Sequence, residues 1–420
     1  MINQAVVLAA GESSRFWPFN STHKSLVKIM GKPIIWYTIE SLKKAGVKEI
    51  ILIQGPKKDV EGDLVNYNLG VDIKYVVQPE PKGMGNAVML AEKLINGPFF
   101  VSHAHKVNAG EYAELLSDKF KETKANLVFL GGKTDKPWLY GMVKLDKDRV
   151  LELTEKPEKG KEPSDIMVFG AYFMPQDFFN YYRQVSEHQY AFEDALDLFA
   201  KKNDARIVMT SENPSTFKYP WHLFEMRKYL FNKYLKKDIG PKAKIAESAE
   251  IIGDVVIEEG ATIMEGVKIK GPCYIGRNTI IGNNAFLRNY VDVEENSVVG
   301  AYMEVKNSLV MRGATTHSGF IGDSIIGENC KIAAQFCTGN ARFDRKAVET
   351  VVKGEKVDTG KRHLGAMIGS NTNIGIKSST MPGVIIGRNV IIGPSTVVMK
   401  NIPDNTKYYT KFKEYVSKKK

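Results

Sequence analysis

Cysteine is scarce in this sequence: the 420 residues include three, Cys273, Cys330 and Cys337. An odd and sparse number argues against a disulfide framework and favours reduced thiols in a cytoplasmic protein. Cys330 and Cys337 could pair with each other or bind a metal. We interpret both as buried structural thiols instead.

Long hydrophobic runs are also missing. No stretch reaches 18 apolar residues, so we expect no membrane-spanning helix. The N-terminal stretch MINQAVVLAAG lacks a positively charged segment and runs straight into a strand-like pattern, which is not typical of a signal peptide. These two absences, together with the few cysteines, predict a cytoplasmic protein with no membrane partner.

Basic residues outnumber acidic ones: the chain has 59 Lys and Arg but 48 Asp and Glu, which gives a net charge of +11. The lysines are dispersed and no nucleic-acid-binding module stands out, so we expect no nucleic-acid partner. Polyphosphate substrates explain a basic balance equally well. The one basic cluster, KYYTKFKEYVSKKK, predicts a solvated C-terminal tail over residues 407–420, and its aromatic spacing predicts a short helix there.

The first half of the chain alternates between strand-like and helix-like segments. AVVLAA, KEIILIQG and FFVSHA read as buried strands, and PIIWYTIESLKKAG reads as an amphipathic helix closed by Gly46. Such alternation predicts an α/β domain with a mainly parallel sheet, here over residues 1–238, closed by the helical stretch WHLFEMRKYLFNKYLKK. Ligands of these sheets bind outside the carboxyl ends of the strands, where LAAG and VSHAH lie.

The second half has a period of six. Twelve aliphatic residues recur without a gap from Ile245 to Met311, and the register returns later, for example at Ile326. This period predicts a hexapeptide parallel β-helix over residues 239–406, in which stacked coils bury one aliphatic ladder. Two stretches interrupt the repeat, MRGATTHSGF and the segment between Cys337 and Ile368. Loops that leave a solenoid often carry its function.

The string LAAGESSRFWPFNSTHKSLVKIMGKP turns from a strand into a loop that carries Gly11, Arg15 and Lys24. Small residues let the backbone approach phosphate oxygens, and Arg and Lys can neutralise a triphosphate as pyrophosphate leaves. The whole string resembles the signature of the sugar-1-phosphate nucleotidylyltransferases, and the resemblance covers nearly the whole chain. Ser13 stands where that family often has a second glycine.

The resemblance implies a Rossmann-like nucleotidyltransferase domain and a set of substrate-binding residues. The implied nucleotide-binding residues are Leu8, Ala10, Gly11, Gln78 and Gly83. The implied sugar-phosphate-binding residues are Tyr140, Gly141, Glu155 and Lys156.

The implied reaction joins a nucleoside triphosphate (NTP) to a sugar-1-phosphate. A sugar-phosphate oxygen attacks the α-phosphorus and pyrophosphate leaves, so the protein mainly positions reactants and offsets charge. Arg15 would stabilise the leaving pyrophosphate, Lys24 the α-phosphate and Lys156 the sugar phosphate. A divalent cation normally bridges the phosphates.

The second half resembles the left-handed β-helix of two-domain nucleotidylyltransferases that also carry an acyltransferase. In that pattern a His takes a proton from an amino sugar as it attacks acetyl-CoA, an Asn or a backbone N–H steadies the oxyanion, and a Lys binds a sugar phosphate or the CoA phosphates. His317, Asn340 and Lys346 occupy the matching places, while Phe320 stands where tyrosine is common. The resemblance also implies a homotrimer or a multiple of one.

Two positions depart from the family pattern. The metal-binding Asp expected after the strand FFVSH is His105, and the second, expected in the segment YPWHLFEM, is His222. Mg²⁺ prefers oxygen ligands, whereas imidazole suits Zn²⁺ or Co²⁺ and binds Mn²⁺ less strongly.

Three interpretations of this departure remain open. The two histidines could hold a softer divalent ion in a working transferase. The domain could instead bind its ligands but be catalytically impaired, leaving the acyltransferase as the working site. Finally, the protein could be a scaffold or regulator, as degenerate relatives of this fold are in guanine-nucleotide exchange factors.

Overall fold

The computed structural model describes residues 2–210 and 217–419, so Met1 and the tail residue Lys420 lie outside the described residues. The chain divides into two compact units. The first comprises residues 1–12, 22–27 and 33–214, and the second comprises residues 13–21, 28–32 and 215–420. The predicted boundary after residue 238 therefore falls inside the second unit, as do two short segments from the N-terminal region.

The first unit is built on a nine-stranded sheet with the order β3-β2-β1-β4-β8-β5-β9-β7-β6. Its strands are β1 Gln4–Ala9, β2 Glu49–Gln54, β3 Asp72–Val77, β4 Phe99–His103, β5 Leu127–Lys133, β6 Gly141–Asp146, β7 Arg149–Glu155, β8 Ile166–Met174 and β9 Ala205–Met209. Strands β1 to β4 are mutually parallel and β9 is parallel to β5. Strand β8 runs antiparallel to both β4 and β5, and β7 pairs antiparallel with β6 and β9.

The described residues of the first unit form six α-helices. They are α1 Ile34–Lys44, α2 Asp59–Leu64, α3 Gly83–Met89, α4 Ala109–Thr123, α5 Phe178–Tyr182 and α6 Ala191–Lys202. The predicted first helix is confirmed, because Ile35, Ile39 and Leu42 form its buried stripe. It packs closely on α4: a Cβ on Gly110 would lie 2.0 Å from the Ser41 carbonyl oxygen.

The second unit contains helix α7, Leu223–Tyr234, and a parallel β-helix of three long sheets. The first sheet contains Asp238–Ile239, Val255–Ile257, Cys273–Ile275, Val291–Val293, Leu309–Val310, Ile325–Ile326, Met367–Ile368 and Ile385–Ile386. The second contains Lys244–Ile245, Thr262–Ile263, Ile280–Ile281, Val298–Val299, Thr315–Thr316, Lys331–Ile332, Asn373–Ile374, Ile391–Ile392 and Lys407–Tyr408. The third contains Glu250–Ile252, Lys268–Lys270, Phe286–Arg288, Met303–Lys306, Gly319–Gly322, Phe336–Thr338, Ser379–Thr380 and Val397–Val398.

The six-residue ladder is confirmed as the solenoid core, with one correction. Most coils are 18 residues long, so that Ile263 lies beside Ile281 on the next coil. The coil that follows Val293 is one residue shorter, and Val310 rather than Met311 occupies the core position. The stretch MRGATTHSGF is therefore no insertion; it continues the second and third sheets through shortened coils.

The second interruption is a true excursion from the solenoid. It carries a hairpin of Glu349–Val352 with Glu355–Asp358, after which Met367 rejoins the first sheet beside Ile325. The short helix expected in the tail is wrong: Lys407–Tyr408 is a strand of the second sheet, and residues 409–419 have no regular structure.

The three thiols are unpaired. Cys273 and Cys330 are buried as structural thiols, whereas Cys337, expected to be buried, is exposed because its side chain points away from the coil interior between inward-facing Phe336 and Thr338. Within the described residues, no helix is both long and apolar enough to cross a bilayer.

Candidate functional site

The first site residues lie at the carboxyl end of β1. Leu8 is opposite His103 in the β1–β4 register, and the Ala104 N–H donates to the Leu8 carbonyl at 3.0 Å. Ala10 and Gly11 follow directly, and among the described residues no atom beyond its chain neighbours lies within 4 Å of a Cβ placed on Gly11. Strand direction predicted that LAAG and the segment after β4 lie at the carboxyl edge of the sheet. The structure confirms that the two segments meet there.

Gln78 lies at the same edge, just after β3, and is buried. Its backbone N–H donates to the Gln54 carbonyl, and its side-chain Nε2 donates to the Gly83 carbonyl at 3.2 Å and to Asn86 Oδ1 at 2.9 Å. These bonds fix the amide and direct its Oε1 away from them. A fixed acceptor of this kind suits recognition of a base N–H group.

Tyr140, Gly141, Glu155 and Lys156 come together where β6 and β7 pair. Gly141 is opposite Glu155, and the Lys156 N–H donates to the Tyr140 carbonyl at 3.0 Å. The Lys156 ammonium lies 3.6 Å from Glu155 Oε1 and donates to the Tyr190 hydroxyl at 3.1 Å. Tyr190, at the start of α6, is a residue that the sequence did not single out.

Glu193 is a second neighbour that sequence reasoning missed. Burial first, and then the nearby Glu155 charge, raise its pKa to about 7. Raised carboxyl pKa values are typical of functional sites. The only sequence signal was its position one helical turn after Tyr190, which is too weak to identify a site without knowing that α6 and β7 are neighbours.

Glu193→Gln should change how stability depends on pH. Because burial raises the folded-state pKa from 4.5 to about 7, the ionised form is disfavoured in the folded state and stability is lost as pH rises through this window. We expect Glu193→Gln to be more stable than the parent by about 1–3 kcal/mol at pH 8 and equal to it near pH 4. Urea unfolding at both pH values measures this, with exposed Glu114→Gln as control. A difference in unfolding free energy that is the same at both pH values would contradict the raised pKa of Glu193.

Five basic side chains gather at the carboxyl edge of β1 and β4, and we call them the basic cluster: His23, Lys24, His103, His105 and Lys106. The His103 and His105 rings stack with centroids 5.4 Å apart. Burial, followed by neighbouring positive charge, lowers the pKa of His23 and His103 to about 3 and that of Lys106 to about 8. Burial and the Lys24 charge also hold the pKa of His105 well below its usual value.

Arg15 and His222 belong to the second unit. Arg15 is exposed in a single helical turn, Ser14–Phe16. Ser13 precedes it with a φ of 54°, the left-handed conformation that glycine favours, so the serine keeps the backbone shape of the family's glycine at some strain.

The donors present do not fit a protein-held divalent ion. His222 Nδ1 accepts the backbone N–H groups of Lys218 at 3.0 Å and Tyr219 at 3.3 Å, which places the ring proton on Nε2 and leaves neither nitrogen with a free lone pair. In the described part of the chain, no group of three or more His, Cys, Asp or Glu side chains could hold a metal. Lys24, Lys106, His23 and His103 surround His105 with basic groups, which disfavours a divalent cation there.

The predicted acyltransferase residues lie in the second unit. His317 is exposed just after Thr315–Thr316, and in the described part of the chain no side chain pairs with it. Asn340 Nδ2 donates to Asp323 Oδ2 at 2.6 Å. A Cβ on Gly322 would lie 2.5 Å from the Phe320 ring and 2.9 Å from Asn340 Nδ2, so that ring and amide are neighbours.

Asp323 organises this region, and the sequence did not indicate it. Lys306 pairs with its Oδ2 at 3.0 Å and Asn307 Nδ2 donates to its Oδ1 at 2.7 Å. Lys346 is exposed in the excursion, where its N–H donates to Asp344. The contacts therefore join Asn340 to Phe320 and Asp323, while His317 and Lys346 each lie at the surface.

Family models match nearly the full length of the chain. Residues 4–252 match the model described as nucleotidyl transferase. Residues 236–315 and 269–364 match the GMPPB C-terminal domain, and residues 365–400 match the bacterial transferase hexapeptide (six repeats).

Relatives match this chain over nearly their whole length. A bifunctional sugar-1-phosphate nucleotidylyltransferase/acetyltransferase of Sulfurisphaera tokodaii is 33% identical over 412 residues, 95% of this chain and 98% of the relative. The bifunctional protein GlmU of Methanocaldococcus jannaschii is 33% identical over 96% of this chain and 97% of its own. Enzymes of this family generally use a divalent metal and acetyl-CoA. The chain therefore belongs to the nucleotidyl transferase family, among members that carry a C-terminal hexapeptide-repeat domain.

Proposed function

We propose that the first unit transfers a nucleotidyl group from an NTP to a sugar-1-phosphate, giving a nucleotide sugar and pyrophosphate. The observation that carries the proposal is the carboxyl edge of the parallel strands. Leu8, Gln78 and the basic cluster all lie at this edge, which is where α/β proteins bind nucleotides. The relatives' names supply the reaction class.

Each residue implied by the family resemblance has a task in the transfer. Gln78, held by Gly83 and Asn86, reads the base, and the open backbone at Gly11 admits the phosphates. Lys156 binds the sugar phosphate, whose oxygen attacks the α-phosphorus. Lys24 offsets the charge that develops there as the bond to pyrophosphate breaks, and Arg15 binds the leaving group. Because the donors do not fit a protein-held metal, no step is assigned to one.

Pyrophosphate release is the direct test of the transferase. Purified protein is mixed with each NTP, a panel of sugar-1-phosphates, and Mg²⁺, Mn²⁺, Co²⁺, Zn²⁺ or EDTA. Pyrophosphate that appears only when both substrates are present supports the proposal. No release in any combination would overturn it.

We further propose that the second unit transfers an acetyl group from acetyl-CoA to the nitrogen of an amino-sugar-1-phosphate. The exposed imidazole of His317, with which no side chain of the described residues pairs, is available to take the amine proton. The relatives' names supply the acetyl transfer. Asn340 is positioned for the oxyanion by Asp323, and Lys346 would bind phosphate.

His317→Ala should abolish acetyl transfer. Loss of a general base lowers rates by about 10²- to 10⁴-fold, and free CoA released from acetyl-CoA with glucosamine- or galactosamine-1-phosphate measures it. His188→Ala, an exposed histidine of the first unit, is the matched control and should release CoA at the parent rate. If CoA release survives in His317→Ala, the assignment of the base is wrong.

The same proposal extends to the setting in which the protein works. We propose a cytoplasmic homotrimer that acts on small molecules and takes neither nucleic acid nor membrane as partner. Three unpaired thiols agree with a reducing compartment. Light scattering should give about three times the chain mass of 47.0 kDa, or a multiple of that value.

A further inference from the structure

The segment that carries Arg15 is bonded to the last coil of the β-helix. Residues 13–21, which we call the Arg15 loop, belong to the second unit although they lie near the start of the chain. The indole Nε1 of Trp17 donates to Asp404 Oδ1 at 2.8 Å, and Asp404 lies just before the final strand, Lys407–Tyr408. One side-chain hydrogen bond therefore joins two positions that are 387 residues apart in the sequence.

The Asp404 carboxylate is held in place by the preceding coil. The Arg388 backbone N–H donates to Asp404 Oδ1 at 2.9 Å, and the Arg388 guanidinium donates to Oδ2 from Nε at 3.1 Å and from Nη2 at 2.6 Å. A Cβ on Gly387 would lie 2.5 Å from Oδ1, so a larger residue there would displace the carboxylate. Burial alone would raise the pKa of Asp404, but the bonds from Arg388 and Trp17 lower it below its usual value. Trp17 therefore donates to a charged acceptor whose position is fixed.

Buried aromatic rings hold the rest of the Arg15 loop. Phe16 is fully buried, and its ring centroid lies 4.9 Å from that of Phe217. Phe19 is also buried, and its N–H donates to the Phe16 carbonyl at 2.9 Å. Arg15 itself is exposed, and among the described residues none bonds its guanidinium. The position of that guanidinium therefore depends on the backbone that Phe16 and Trp17 hold.

A later part of the same motif is bonded to the β-helix in a similar way. Residues 28–32 also belong to the second unit. The Met30 N–H donates to Asp292 Oδ2 at 3.1 Å, and the Gly31 N–H donates to Glu294 Oε1 at 3.0 Å. Both acids are buried on the solenoid. The two motif segments that the second unit contains are therefore both held by solenoid carboxyl groups.

We propose that Trp17 is a positioning residue for nucleotidyl transfer, which acts by tying the Arg15 loop to the last coil of the β-helix. Trp17 does not touch substrate in this role, because Asp404 already accepts its one N–H. The bond fixes the backbone that presents the Arg15 charge to the leaving pyrophosphate, and fixed charge is what such a transfer needs. The β-helix thus serves the transferase as well as acetyl transfer. The inference rests on the proposed nucleotidyl transfer for the reaction that Arg15 serves.

Initial rates of pyrophosphate release by the full-length protein test the role of Trp17. Trp17→Phe keeps an aromatic ring but loses the N–H. We expect its kcat to fall by about tenfold to 100-fold, because small misplacements of a positioned group are that costly, while KM for the sugar-1-phosphate stays at the parent value. In an Arg15→Ala background the same substitution should have no further effect, since Trp17 acts through Arg15. An unchanged kcat, or an equal loss in both backgrounds, would overturn the proposal.

A second variant keeps the test decisive if Trp17→Phe does not fold. Asp404→Ala removes the acceptor from the solenoid side and should lower kcat as Trp17→Phe does. Glu328→Ala is the matched control, because it breaks another acid–arginine pair of the solenoid, with Arg312 at 3.6 Å, and should keep the parent kcat. Equal kcat values in Asp404→Ala and Glu328→Ala would contradict the role of the last coil.

Hydrogen exchange followed by mass spectrometry separates this inference from the proposed transferase. The Phe16 and Phe19 N–H groups donate within the Arg15 loop, at 2.7 and 2.9 Å. Peptides that cover this loop should exchange about tenfold faster in Trp17→Phe and Asp404→Ala than in the parent or Glu328→Ala, because the loop opens more often. Exchange at the parent rate would overturn the inference even if the transferase is active. Faster exchange in variants of a parent that releases no pyrophosphate would sink the proposed transferase and leave the tie between Trp17 and the last coil standing.

Discussion

Lys24→Ala should lose nucleotidyl transfer almost completely while the fold is kept. Lys24 lies in the turn Lys24–Leu26 and its charge acts on His23, His103, His105 and Lys106, which places it inside the basic cluster. Removing one preorganised charge at a developing phosphate charge costs about 10²- to 10³-fold in kcat. Initial rates of pyrophosphate release at saturating substrates measure the loss.

The control for Lys24→Ala is Lys93→Ala, an exposed lysine of the same unit, which should keep the parent rate. The thermal unfolding temperature of Lys24→Ala should equal that of the parent or be slightly higher, because the substitution removes repulsion among basic groups. A variant that keeps more than a tenth of the parent kcat would show that Lys24 does not face the reacting phosphate.

Among the substitutions named here, Arg227→Met should lower the free energy of unfolding the most. The Arg227 guanidinium is buried, donates to Asn307 and lies close to the buried carboxylates Asp292 and Asp323. Its removal leaves Asp292 without this cation, whereas Asp323 keeps Lys306. Breaking a buried pair in this way costs about 3–5 kcal/mol. Urea unfolding followed by intrinsic fluorescence measures the change, with the exposed neighbour Lys228→Met as control.

The loss in Arg227→Met should also grow with pH. Burial already raises the pKa of Asp292 to about 7, and the Arg227 charge opposes that rise. Without the cation the folded-state pKa of Asp292 rises further, so stability falls as pH increases from the unfolded value towards the folded one. We expect a smaller deficit at pH 5 than at pH 8. An equal deficit at both would show that the lost contact is steric rather than electrostatic.

The solenoid was predicted almost completely because its signal is local and repeated. From Ile257 to Val305 the six-residue register names the core residues correctly. It fails at Met311, because a coil shortened by one residue moves the core position to Val310 without leaving a mark in the residue types. The same shortening made MRGATTHSGF look like an insertion.

The sequence pointed to candidate residues at single strand ends and missed neighbours that distant segments bring together. The segment after β4 pointed to His105, and the motif after β1 pointed to Lys24. The sequence does not show that these two motifs meet, because that depends on which strands are neighbours. His23 and Lys106 join the cluster as chain neighbours of Lys24 and His105. For the same reason Tyr190 and Glu193, far from Lys156 in sequence, were not expected beside it.

Residue type alone did not determine whether His105 and His222 can bind a metal ion. Histidine at positions 105 and 222 suggested a softer ion, because imidazole is a good ligand for one. Hydrogen bonds decide which ring nitrogen is available, and at His222 two backbone donors occupy Nδ1. Those donors follow from the turn before α7, whose geometry the sequence pattern does not specify.

Label transfer tests the central claim that a nucleotidyl group passes to a sugar phosphate. The parent protein is incubated with a sugar-1-phosphate and an NTP labelled with ³²P at either the α- or the γ-phosphate. Attack at the α-phosphorus predicts that the α-label appears only in a nucleotide sugar and the γ-label only in pyrophosphate, in equal amounts. Label in inorganic phosphate or a nucleoside diphosphate, or no transfer with any substrate pair, would contradict the account.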